Sequence, residues 1–127
     1  MENAMSSGNV SLLTLTVAAA GALAGSRFVT QAGGYPAAGG TAVGVSRTSA
    51  VAAGDLVPVD VLGTAIVETG AAITLDAALQ VDATGRVVPL TVGSKTPVAR
   101  AMGAASGAGA FIEVLLVPSA GLVSAAS

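Results

Sequence analysis

A chain of 127 residues with 28 Ala and 18 Val but only 3 Ile and 2 Phe is apolar in small increments, enough for one domain with a thin core. Five Lys and Arg against seven Asp and Glu give a net charge of -2 with no basic stripe for phosphates, and one Tyr and two Phe offer almost no stacking platform, so nucleic-acid binding is not expected. The absence of Cys and His removes disulfides, thiol nucleophiles, the usual zinc ligand sets and imidazole acid-base chemistry.

Residues 1–25 read as an extended N-terminal arm. The run from Val10 to Ala24 has the look of a signal-peptide core, but the residues before it hold Glu2 and no Lys or Arg, whereas a secretory leader begins positive. It is also short for a membrane span, which takes about 20 residues, and no membrane partner is expected. Leu13, Leu15 and Val17 alternate with Thr14 and Thr16, the period of a half-buried strand that pairs with a sheet edge of its own chain or of a neighbour.

Residues 26–118 read as a β-rich domain. Strands are predicted at Ser26 to Gln31 and Thr41 to Arg47, on either side of a Gly- and Pro-rich loop that carries Tyr35. Tyr35 is either a contact anchor or a cover for the local core. The run LVPVDV follows the Gly54-Asp55 turn; Pro58 places it at an edge or faces away from pairing, and Gly63 marks a bend before a separate strand TAIVE. Ile73 to Leu75 fits a short strand. Asp82-Ala83-Thr84-Gly85 connects two strands as a hairpin, with Gly85 placed for positive φ. Val98 to Met102 is the next strand and Gly103 to Gly109 a small-residue loop.

The last strand, Ala110 to Pro118, holds the longest run of large apolar residues and is taken as the centre of the sheet. Alternation puts Ile112, Val114 and Leu116 on the core face and Phe111, Glu113 and Leu115 on the other. A carboxylate there needs solvent or a cation, and Arg100 or Arg86 is the expected partner of Glu113. Residues 119–127 form a small polar tail. Strands every 8 to 12 residues with turns between them give an all-β fold, a small β-barrel or β-sandwich with an extended arm.

No catalytic constellation emerges. A serine nucleophile has no His, and the single Lys95 sits in a Gly-Ser-Lys-Thr turn. The acid pairs Asp55/Asp60 and Asp76/Asp82 lie largely in turns, where Asp bonds local backbone, and GAASGAG lacks the Lys-Ser/Thr ending of a phosphate loop. No enzyme activity, cofactor or metal is expected. With about 1.5 kcal/mol of entropy lost per ordered residue and 17 Gly in the chain, burial against other chains is expected to complete the fold.

Three stretches, taken together, resemble the small Ala/Val/Gly-rich capsid decoration, or cement, proteins of tailed bacteriophages. They are G-x-A-x-V-E-x-G-x-x-I at Gly63 to Ile73, L-x-x-D-x-x-G-R at Leu79 to Arg86, and A-x-x-x-G-x-x-I-x-V-L-L at Ala105 to Leu116. The resemblance implies a virion protein on the outer capsid surface that binds the major capsid protein, commonly as a homotrimer, and stabilises capsomer contacts. Candidate protein-interaction residues are Leu12, Leu13, Leu15 and Val17 of the arm, Tyr35, and Phe111 with Glu113. The competing reading is a secreted or cell-surface β-module assembled by strand exchange.

Overall fold

The structure, a computed structural model, describes residues 9–91 and 95–118, so the expected tail lies outside it. It is all-β: β1 (Ser11–Ala18), β2 (Phe28–Val29), β3 (Gly44–Ser46), β4 (Leu56–Glu68), β5 (Ala78–Val81), β6 (Val87–Pro89), β7 (Ala99–Ala101) and β8 (Phe111–Leu116). The strands form one antiparallel sheet in the order β2-β3-β4-β8-β7-β5-β6, with β1 also paired to β4. The sheet curls until a single parallel bridge joins Thr69 to Val87, but it does not close into a barrel.

The organising strand is β4. The two strands expected at LVPVDV and TAIVE are one continuous strand of 13 residues. Gly63 marks a bulge rather than a break: its φ is +103°, and the register with β1 shifts at this point. An added Cβ there would strike the carbonyl of Val10, so glycine is what lets β1 approach. The first half of β4 is flanked on both sides, by β1 and by β3, and the second half pairs with β8. Pro58 is therefore not on an edge strand. Its carbonyl accepts from Arg47 N–H at 2.9 Å, so its missing N–H faces the same way, just where β3 stops at Ser46.

Two apolar clusters lie along this strand. Val57 and Val59 pack with Val17, Leu23 and Val29, while Ala65 and Val67 pack with Phe28, Leu79, Val81, Val87 and Val114. The expected core face of β8, Ile112, Val114 and Leu116, is buried. Each fully buried Val contributes roughly 1.5–3 kcal/mol, so many small contributions replace a few large ones.

Elsewhere the strands are shorter than their patterns. β2 keeps two residues and β3 three, because the flanking chain turns away into loops; Thr30 closes a turn by accepting from Gly33 N–H. Ile73 to Leu75 is not a strand. Ile73 makes one isolated bridge to Ala105, after which Ala77 N–H bonds Thr74 O and Asp76 adopts a φ of +71°. Within the described part of the arm, Ser11–Ala18 is a strand of the chain's own sheet. Its predicted half-buried face is incomplete, since Val17 is buried but Leu13 and Leu15 are exposed: the cluster beneath β1 ends at Val17.

Candidate functional site

Most of the chain's charge is consumed inside the fold. Glu68, at the end of β4, accepts from Arg27 Nε at 3.1 Å and Nη2 at 2.9 Å, and its second oxygen lies 3.9 Å from Arg86 Nη1. Arg86 Nε also donates to Asp82 Oδ2 at 3.2 Å, and Arg27 Nη1 donates to the Thr84 carbonyl at 3.0 Å. Four charged side chains thus staple the end of β4 to the β5–β6 hairpin and to the chain entering β2. Asp82 Oδ1 in turn accepts from Thr84 N–H, the Thr84 hydroxyl and Arg86 N–H. Partial burial works against its ionisation, but those hydrogen bonds and the Arg86 charge together outweigh it and hold its pKa below the usual carboxylate value.

This staple draws on two of the three sequence stretches. Glu68 belongs to the first, and Asp82, Gly85 and Arg86 to the second. The first and third are knitted by paired backbone bonds between Ile73 and Ala105, at 2.9 and 3.0 Å, and by Gly109 N–H on Thr69 O at 2.9 Å. Gly70 has no room for a Cβ, which would sit 2.6 Å from an Asp82 oxygen. Most of the residues that carry the resemblance hold the fold together, while Leu115 of the third stretch is exposed on the outer face of β8.

A second buried charge ties down β1. Asp60, 1% exposed, accepts from the Thr14 hydroxyl at 3.0 Å and lies 3.6 Å from Arg47 Nε. Tyr35 is spent internally as well: its hydroxyl accepts from Ala24 N–H at 2.8 Å, and its ring packs on the cluster beneath β1.

Two apolar surfaces stay open. One is β1, whose other edge has no strand partner among the described residues. Leu12 is 71% exposed, and Val10, Leu13, Leu15 and, opposite Leu13, Leu62 of β4 are exposed with it. The other is the outer face of β8 and β7. Phe111 is 60% exposed, Leu115 and Met102 are exposed, and Glu113 is half-buried opposite Ile66. Leu75, Asp76, Arg100, Met102 and Leu115 line a shallow groove on this face. Leu12, Leu13, Leu15, Phe111 and Glu113 therefore fall on two separate surfaces, with Val17 and Tyr35 turned into the fold. Sequence reading missed Leu62, Leu75 and Met102. Met102 had a signal, since it lies two residues beyond Arg100 on the same strand period.

The expected partner of Glu113 is not there. Arg100 Nε lies 3.6 Å from Asp76 Oδ1 and Arg86 serves Glu68 and Asp82; among the described residues no ion pair reaches Glu113. Nor does any group of three or more acids, Cys or His among them form a metal site.

Open apolar surfaces of this kind suit binding. The model of the phage cement protein family matches residues 5–116, which span every strand from β1 to β8. The chain belongs to that family. No curated protein matches the sequence significantly. Among solved structures, the cement protein is similar to the base of the head fiber gp8.5 of bacteriophage phi29, with a TM-score of 0.66 and 19% identity over 83% of this chain and 93% of that one. At that identity the likeness is one of fold. As a member of the phage cement protein family the chain is a structural virion protein.

Proposed function

We propose that the chain binds the outer surface of an assembled phage head, contacts the major capsid protein and reinforces the joints between capsomers, working as a homotrimer. The observation that carries this reading is the family match across the whole sheet. The outer edge of β1, which no other described strand pairs, supports it: strand backbone flanked by exposed Leu12 and Leu13 is suited to strand addition by a neighbouring protein. The small-grained core supports it as well, because a domain with little burial of its own gains from burial in a larger assembly.

The test is binding of purified protein to expanded heads of the phage that encodes it, read as co-sedimentation and as a rise in the temperature at which the heads break. Binding with no gain in head stability would reduce the protein to a passive ornament, and absence of binding would refute the reading. Leu12→Asp, at the most exposed large apolar side chain of the described arm, is expected to weaken binding with the melting of the free protein unchanged. Sedimentation equilibrium decides the trimer.

A further inference from the structure

The outer face of β8 carries a charge that the fold leaves unanswered. Phe111, Leu115 and Met102 are exposed around Glu113, which is half-buried between them and has no cation among the described residues. Anything that covers these side chains strips water from that carboxylate, a penalty of several kcal/mol unless the covering surface supplies a positive charge. An occupant that brings a cation set among apolar groups removes that penalty.

A second copy of the chain is poorly equipped to do so. All four arginines already pair within the fold, Arg27 with Glu68, Arg47 with Asp60, Arg86 with Asp82 and Arg100 with Asp76. Lys95 has no such pair among the described residues, but its stem lies against Gly39, where an added Cβ would come within 2.6 Å of Lys95 Cδ. A sister subunit would have to break a partly buried pair, lift Lys95 from its seat, or give up the pair of Arg100 with Asp76, which is exposed and 3.6 Å long.

We propose that the Phe111-Glu113-Leu115 face docks a foreign protein, namely a segment of the head shell that presents one arginine or lysine between large apolar side chains. This rests on the head-binding reading and adds the face and the chemistry of its partner. It divides the labour between the two open surfaces: the β1 edge recognises backbone, and the β8 face recognises one basic side chain.

The test uses the full chain with Glu113→Gln, Glu113→Lys and Phe111→Ser, each checked by melting and by sedimentation for fold and oligomeric mass, with expanded heads as the probe. Expected are losses in head affinity of about tenfold for Glu113→Gln and about a hundredfold for Glu113→Lys, with unchanged mass. Phe111→Ser, which leaves the charge alone, also weakens binding and keeps its salt dependence, whereas Glu113→Gln flattens it. If the unaltered protein does not bind heads, the head-binding reading itself fails. If it binds and the Glu113 variants bind as tightly, this inference fails and the other stands. If Glu113→Lys breaks up the oligomer in the absence of heads, the face joins copies of the chain and the inference is overturned.

Discussion

Arg27 and Glu68 meet through two hydrogen bonds that share one carboxylate oxygen, Oε1, at 3.1 Å from Nε and 2.9 Å from Nη2. The two side chains are 17% and 19% exposed, so the pair is largely withdrawn from water. Glu68→Ala leaves Arg27 and Arg86 as neighbouring cations without their shared anion. The expected cost is about 2 kcal/mol, read as a lower urea midpoint, and a double-mutant cycle with Arg27→Ala returns a coupling of about 1 kcal/mol or more. Additive losses would show that the staple contributes no pairwise energy.

Acid acts through Asp82. Its carboxyl titrates lower in the folded chain than in the unfolded one. The stabilisation is therefore complete above the unfolded value, about 3.9, and is lost as pH falls through the lower folded value. Urea midpoints measured downward from about pH 5 should fall in this window, and Asp82→Asn should start less stable and show a shallower fall.

A glycine series separates backbone strain from collision. Gly85 has a φ of +79°, and an added Cβ would run into the Phe28 carbonyl and come within 3.1 Å of the Tyr35 ring. Gly109 has a φ of +89° in open space, and Gly107 has open space and no such φ. The expected losses on substitution by Ala are about 2 kcal/mol or more at Gly85, about 1 at Gly109 and close to zero at Gly107. Thermal melting ranks the three, and a Gly109 variant as damaged as Gly85 would contradict the order.

Thr14→Val tests the seat of β1. Among the described residues Asp60 then keeps only Arg47 at 3.6 Å, and the buried carboxylate loses a hydrogen bond worth about 1–2 kcal/mol. Amide exchange should quicken across Ser11–Ala18 while β8 stays protected. Uniform acceleration over both strands would mean that β1 and the rest of the sheet open together.

Local chemistry made part of this molecule legible. The Asp82 to Gly85 hairpin was readable because Asp capping and a positive φ at Gly85 are decided within four residues. The buried face of β8 was readable because Ile112, Val114 and Leu116 keep strict period. What stayed hidden was set by partners far away in sequence. Pro58 can stand inside the sheet because β3 ends beside it, and Leu13 and Leu15 lack cover because the cluster under β1 stops at Val17. Arg100 lies diagonally across the β7–β8 ladder from Glu113 yet turns to Asp76, a preference set by the loop that carries Asp76 rather than by strand period. Of the candidate site, the Phe111-Glu113-Leu115 face was legible from alternation; the groove beside it was not, since Leu75 reaches it from a loop.

The continuity of β4 through Gly63 has a mechanical meaning. The strand holds β1 along one half and β8 along the other, so a pull that enters at the arm and leaves at the β8 face travels through a single covalent backbone. Both ladders run antiparallel to β4 and resist such a pull along their length, with many hydrogen bonds strained at once rather than unzipped singly. A joint gripped at these two places would behave as a tie rod, taking tension while the thin core around it stays unloaded.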